Sequence, residues 1–268
     1  VRLQTLALVD PVGQGAGVLG RVRRIAPLDV PDPDAQFEVA VAAAAVWGPD
    51  LALPFLRPAS AGYRADGRLG RLAETLVFEA WAEIRAGAAR VAITAAAEAV
   101  QLAQETRKVR FVAVGRLAEG IAAVELGADE RGERLIGTAE AMLLPLGANP
   151  LLADVALARG RQALAHERFA EAYAHLLRIF DANDAAYQEF VRGWVLADLA
   201  DSALHGHGDL ELVRGFMREW EAIAADTGAP HLDVQLRYAR AVLADDEQAE
   251  PLFVSAMSAG ADGWPYYA

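Results

Sequence analysis

Apolar residues recur with the spacing of an α-helix along most of this chain. The spacing is clearest between Leu72 and Trp81 and between Leu212 and Ile223, where it places the large apolar side chains on one helix face. No stretch of useful length alternates apolar and polar residues as a β-strand would. Gly228 and Pro230 mark one of several helix ends. The pattern predicts an all-α protein.

Small residues recur about every forty positions in two series. The first series is Ala40, Ala80, Gly120, Gly160 and Ala200, and the second is Ala52, Ala92, Gly132 and Ala172. Turn-like stretches lie between the series in the same phase, at 48–50, 87–89, 127–129, 166–168 and 206–209. Two antiparallel helices that cross closely need small residues on both sides of such a turn. We therefore predict a right-handed α-solenoid of antiparallel helix hairpins with a period of about forty residues.

The Pro-rich connector at 31–34 divides the chain. Residues 1–33 are predicted to be the end of a preceding helical unit and a linker, and residues 34–268 to be one repeat domain of about six hairpins, truncated at both ends. We expect Asp34 to be the N-cap of the first repeat helix. Pro54 and Pro58 are expected to kink or shorten the helix at 52–63. One helix is expected to run without interruption over 185–204.

Composition excludes several classes of function. The net charge of −12 and the pI near 4.9 disfavour direct contact with nucleic acid, because an acidic surface repels phosphates. The chain has no cysteine, which excludes disulfides and thiolate metal sites and fits a cytoplasmic protein. Asp50 interrupts the longest apolar run, so we expect no transmembrane helix and no membrane partner.

Motifs for catalysis or cofactor binding are weak in this sequence. Residues 15–20 satisfy G-x-G-x-x-G, but Asp10 and Pro11 separate them from the apolar run before them, and we predict a flexible loop between helices there. A nucleotide-dependent enzyme that uses this loop remains an alternative. His205 and His207 flank a glycine, and turn polarity is the preferred interpretation over a metal site. We therefore expect a non-enzymatic protein without cofactor or metal.

The hairpins resemble tetratricopeptide repeats, with segment 166–172 similar to the turn and the start of the second helix of that repeat. The forty-residue length and the Ala/Leu/Arg bias of segments 97–106, 156–164 and 247–253 resemble the repeat region of large LuxR-family (MalT-like) bacterial transcriptional regulators. That resemblance implies a segment that senses a signal and couples it to an ATPase module and a DNA-binding helix-turn-helix. Neither module is present in this sequence, so contact with DNA would occur only through a helix-turn-helix outside it.

First-helix positions that face the concave side of a solenoid are the candidate binding residues. With the forty-residue register, they are Trp81, Asp154, Arg161, Trp194, Asp201 and Arg237. Charged and aromatic side chains around an apolar stretch suit an amphipathic small-molecule effector or a helix of a partner protein. The alternative for Trp81 and Trp194 is packing between hairpins.

Two further expectations concern the whole protein. The favoured hypothesis is the sensing and protein-interaction domain of a LuxR-like regulator, which forms part of a larger protein. A homo-oligomer is a further expectation. The alternative is a free-standing peptide-binding scaffold of the tetratricopeptide type. The sequence flanking this chain distinguishes the two hypotheses.

Overall fold

The computed structural model describes residues 3–146 and 149–258, and most of these residues are helical. About 80% of the chain is helix, with fifteen α-helices and no strand among the described residues. The prediction of an all-α protein is therefore confirmed. The chain divides into two compact units, Val1–Ala148 and Asn149–Ala268.

The described part of the first unit contains eight helices, and from α3 onward each packs mainly against its neighbours in the sequence. They are α1 (Leu3–Val9), α2 (Pro11–Val22), α3 (Pro33–Ala44), α4 (Pro49–Ala65), α5 (Leu69–Arg85), α6 (Ala89–Glu105), α7 (Val109–Glu125) and α8 (Asp129–Leu143), with short 3₁₀ turns at Pro27–Asp29 and Leu144–Leu146. Helix α5 also packs against α3 and α7. As a result α5 and α7 are buried around most of their circumference, whereas α4, α6 and α8 each keep one exposed face.

Residues 149–258 of the second unit form seven helices. They are α9 (Asn149–Ala165), α10 (Phe169–Leu177), α11 (Glu189–Arg192), α12 (Leu196–His205), α13 (Leu210–Thr227), α14 (Pro230–Val242) and α15 (Asp246–Ser258). Helix α12 is central in this unit, because it packs against α9, α10, α13 and α14. The regular helix length is lost here, since α10 has 9 residues and α11 has 4, whereas α4 to α7 have 17 each.

Turns in a left-handed conformation end the helices of the first unit at intervals of twenty residues. Their positive-φ residues are Trp47, Gly67, Gly87, Arg107 and Gly127, and turns of the same kind follow in the second unit at Glu167 and His207, forty residues apart. In each turn the N–H of the next residue donates to the carbonyl five positions back, as from Ala88 to Glu83 at 2.8 Å. This hydrogen bond closes a helix end with a sharp reversal of the chain. Helix starts at residues 49, 69, 89, 109 and 129 follow from these turns.

The small residues of both sequence series are buried where helices approach each other. Ala40, Ala80 and Ala200 have no exposed surface. A Cβ on Gly132 would lie 2.4 Å from a Val124 methyl and 3.0 Å from the carbonyl oxygen of Gly120. Glycine is therefore required at that crossing, because no side chain fits between α7 and α8.

Two expectations about the N-terminal region are wrong. The motif at 15–20 lies inside α2 and not in a loop. Helix α2 begins at Pro11, where the Asp10 side chain caps it by accepting from the Gly13 N–H at 2.8 Å, and its buried residues Val18 and Val22 have helical spacing. The N-cap of α3 is Asp32, whose carboxylate accepts from two backbone N–H groups, and not Asp34.

Two helices also differ from the sequence-based expectation. Helix α4 runs for 17 residues through both Pro54 and Pro58 and is not short. The helix expected over 185–204 is divided, because residues 178–188 form an irregular segment and Gly193 ends α11. Asp181 and Asp184 accept hydrogen bonds from backbone N–H groups two residues on, which favours turns over helix at this point.

Candidate binding site

Arg161 and Trp194, two of the predicted binding residues, meet in the second unit. The Nε of Arg161 on α9 donates to Oδ2 of Asp198 on α12 at 2.9 Å, and its Nη2 lies 3.5 Å from the Trp194 carbonyl oxygen. The side chains of Arg161 and Asp198 are only 12% and 7% exposed. A buried ion pair of this kind fixes two helices together, since removal of either partner leaves an uncompensated charge.

Trp194 packs as a core residue. Its ring stacks on the imidazole of His231 with centroids 3.8 Å apart, and both residues are almost fully buried. Gln235 on α14 is also buried, and its Oε1 accepts from the N–H of Ala197 at 3.0 Å near the start of α12. These contacts agree with the alternative interpretation, in which Trp194 packs between helices.

Asp201 lies one helical turn beyond Asp198 and is only partly buried. Burial raises the pKa of Asp201 above its ordinary value, His205 at 3.5 Å opposes that shift, and Asp198 adds to it. Burial and the charges of Asp201 and Asp198 likewise raise the pKa of Tyr238 on α14. Arg161, Asp198, Asp201 and Tyr238 therefore form a cluster of two carboxylates, a guanidinium and a phenol, which we call the α12 cluster.

The other three predicted binding residues are Asp154, Arg237 and Trp81. Asp154 is buried on α9. Arg237 is partly exposed and pairs with Asp233 on its own helix at 2.5 Å. Trp81 belongs to the first unit, where it is 7% exposed and has the Arg85 guanidinium 5.0 Å from its ring. Its indole N–H has no hydrogen-bond partner within 3–146 and 149–258.

The first unit holds buried carboxylates that the sequence interpretation did not single out. Glu83 is almost fully buried on α5 and accepts from Arg57 on α4 at 2.7 Å. Glu79, one turn earlier, accepts from the Ser60 hydroxyl at 2.9 Å, and burial raises its pKa. Glu119 on α7 pairs in the same way with Arg131 on α8. Glu79 and Glu119 are forty residues apart and so occupy equivalent positions of the forty-residue repeat. This equivalence is the sequence signal that could have identified them.

A surface pocket of about 390 Å³ lies beside α10 and α13 in the second unit. Its lining residues are Ala174, Leu177, Arg178, Phe180, Asp181, Leu212 and Phe216. The rings of Phe180 and Phe216 stack with centroids 4.6 Å apart. The Arg192 guanidinium lies 5.1 Å from the Phe180 ring centre. We call this cavity the α10–α13 pocket.

Metal and membrane interactions find no support in the part of the chain that the structure describes. No group of three or more His, Asp or Glu side chains there is arranged to hold a metal ion. His205 instead packs against the ring of Phe169 at 4.9 Å, and His207 occupies a left-handed turn. None of the described helices combines the length and apolar character needed to cross a bilayer.

Comparisons of the chain with protein-family models, with curated proteins and with solved structures found no match. The functional assignment below therefore rests on the sequence pattern and on the geometry of the described residues.

Proposed function

We propose that this chain is the signal-sensing and protein-interaction region of a LuxR-like transcriptional regulator. In this proposal its helix hairpins stack as a right-handed solenoid of tetratricopeptide-like repeats. The region receives an effector or a partner protein and transmits its binding to separate ATPase and DNA-binding modules. It is not an enzyme.

The observation that carries the proposal is the recurrence of left-handed turns every twenty residues in the first unit, where α4 to α7 have 17 residues each. Two such helices make one forty-residue hairpin, and the buried small residues keep the same period. Each hairpin of a helical repeat leaves an apolar face for the next one, and the resulting extended surfaces bind partners more often than they catalyse reactions.

The α12 cluster is the proposed site at which an effector acts in the second unit. Asp201 and Tyr238 are partly exposed and border the buried Arg161–Asp198 pair. An effector that forms hydrogen bonds with Asp201 or Tyr238 would change the charge balance around a pair that joins α9 to α12. Arg237 follows Asp233 on α14 and offers a cation for an acidic group of the effector.

The flanking coding sequence tests the proposal first. An ATPase module upstream and a helix-turn-helix downstream are expected. Their absence would reject the regulator and favour a free-standing peptide-binding scaffold.

The second test uses the full-length regulator and measures promoter DNA binding as the inducing effector is titrated. Arg237→Ala is expected to shift the effector concentration for half-maximal response by about tenfold, the size of one lost charged hydrogen bond. Arg218→Ala on the exposed face of α13 is the matched control and is expected to behave as wild type. An equal response in all three proteins would rule out Arg237 as a contact.

A further inference from the structure

The α10–α13 pocket lies at the point where the chain departs from its regular helix length. Helix α10 ends at Leu177 after 9 residues, and an ordered loop at 178–188 replaces the rest of the helix. Arg178 holds this loop through two hydrogen bonds to the Asp184 carboxylate, at 3.0 and 3.2 Å. A local break in an otherwise regular chain that is stabilised by its own contacts indicates a functional feature.

The pocket has an apolar floor that the surrounding contacts keep rigid. Phe180 is 6% exposed, and Phe216 stacks on it. Arg192 lies against both rings, and Glu219 on α13 accepts its Nη2 at 2.6 Å. Leu212 remains 40% exposed at the rim. A preformed cavity of this size accommodates one large apolar side chain without reorganisation.

The charges around the floor favour a ligand with cationic flanks. Exposed carboxylates on α10, on α13 or near their ends include Glu171, Asp181, Asp209, Glu211 and Glu219. Three of them, Glu171, Glu211 and Glu219, also pair with arginines of the same unit. Arg178 and Arg192, the cations nearest the floor, already pair with Asp184 and Glu219. The second unit as a whole has 19 acidic against 9 basic residues. An apolar anchor next to arginine or lysine side chains is complementary to this surface.

The first unit presents a segment with this chemistry. Leu28 in the 3₁₀ turn is 96% exposed, the largest fraction among the large hydrophobic side chains of the described residues. Three exposed arginines precede it, at positions 21, 23 and 24. Of the acids that follow it, Asp29 is exposed, whereas Asp32 caps α3 and Asp34 pairs with Arg68. With three arginines and one aspartate, residues 21–29 keep a net charge of +2. We call residues 21–28 the Leu28 segment.

We propose that the Leu28 segment of one copy of this chain docks into the α10–α13 pocket of a second copy. Leu28 fills the apolar floor, and the arginines face the carboxylates at the rim. The contact joins two different surfaces, so it is heterologous and leads to head-to-tail assembly. A single apolar anchor with exposed charges supports only weak association, with a Kd on the order of 10–1000 µM.

Sedimentation of the full chain over a wide concentration range tests the proposal. The wild-type weight-average mass is expected to rise above 28.5 kDa with concentration and to fall again when salt is added. Leu28→Asp and Leu212→Asp are each expected to remain monomeric. Leu69→Asp is the matched control, because Leu69 is 41% exposed on α5, and it is expected to associate as wild type does. Circular dichroism verifies that each variant is folded.

A mixture of the two monomeric variants, Leu28→Asp and Leu212→Asp, is the decisive experiment. Each variant retains one intact surface, so an equimolar mixture is expected to form dimers and nothing larger. A mixture that stays monomeric, or single variants that still associate, would overturn the proposal.

A labelled synthetic peptide of residues 20–30 supplies an independent readout. It is expected to bind the wild-type chain and to bind Leu212→Asp at least about tenfold more weakly. A peptide whose leucine is changed to alanine is expected to lose a similar factor of affinity for the wild-type chain. If the peptide binds while the intact chain stays monomeric at all concentrations, the proposal that a second copy is the partner is rejected. The pocket then belongs to another protein with the same apolar and basic chemistry.

Discussion

Asp34 illustrates how single charged residues join helices in the first unit. Its carboxylate on α3 accepts from the Tyr63 hydroxyl at 2.8 Å, from Arg68 at 2.8 Å and from Arg71 at 3.1 Å. These hydrogen bonds, that of Arg68 first, lower the pKa of Asp34 to about 2. Burial, together with the hydrogen bond to Asp34, raises the pKa of Tyr63 to about 12.

Asp34→Asn tests this network through its pH dependence. The folded-state pKa lies below the ordinary value of 3.8, so the ionised carboxylate stabilises the fold above about pH 4 and loses this effect as the pH falls toward 2. Because the side chain is 41% exposed and solvent screens it, we expect the variant to lose ~1 kcal/mol of unfolding free energy at pH 7. Urea denaturation at pH 7 and near pH 3 measures the difference.

The deficit of Asp34→Asn is expected to shrink at the lower pH. Asp66→Asn, which removes an exposed carboxylate at the end of α4, is the control and is expected to change stability little. A deficit of equal size at both pH values would contradict an ionic role for Asp34.

At the scale of the helix, the crossing of α7 and α8 depends on paired glycines. A Cβ on Gly120 would lie 2.8 Å from the Ile136 side chain and 3.1 Å from its backbone nitrogen, and Gly132 is equally confined. Gly137, also on α8, has no atom within 4 Å of the position of a Cβ. The same helix therefore contains one glycine that packing requires and one that it does not.

Gly132→Ala is expected to destabilise the protein by ~1–3 kcal/mol, because the added methyl group overpacks a tight crossing. Gly137→Ala is expected to stabilise it by up to ~1 kcal/mol, because alanine favours helix over glycine. Thermal and urea unfolding of both variants measure the two effects. A gain of stability in both variants would show that helix propensity, and not close approach, decides the stability of α8.

At the scale of the whole molecule, negative charge is unevenly distributed. Val1–Ala148 contains 18 acidic and 16 basic residues, whereas Asn149–Ala268 contains 19 and 9. Almost all of the net charge of −12 therefore belongs to the second unit. Like charges at this density repel one another and oppose a compact state.

Raising NaCl from about 0.05 to 0.5 M is expected to stabilise the helices of the second unit. Added salt shortens the distance over which charges act, so the repulsion between the acidic side chains weakens. The nearly neutral first unit, whose stability includes ion pairs such as Arg57–Glu83, is expected to gain less or to lose slightly. Hydrogen exchange measured helix by helix separates the two responses. An equal gain of stability in the helices of both units would instead indicate a general effect of salt on apolar burial.

The sequence predicted the helical class, most helix positions and the burial of the small residues. It did not predict that α2 includes the glycines at 15–20, and it underestimated the length of α4, which has 17 residues and contains Pro54 and Pro58. Glycine and proline lower helix propensity locally, and packing of residues such as Val18 and Phe55 overrides that preference. The break at 178–188 was also missed, since its Asp side chains bond the local backbone in a way that periodicity does not register.

The sequence by itself determined the helical class and the approximate positions of most helices, because capping and amphipathic spacing act between residues a few positions apart. Only the tertiary structure decided which polar groups meet. Arg161 contacts Asp198, which lies 37 residues further along the chain. Leu177 and Phe216, which are separated by a similar interval, both line the α10–α13 pocket. Such contacts depend on how helices pack and not on local preference. For this reason the sequence located the helices, whereas the structure located the α12 cluster and the α10–α13 pocket.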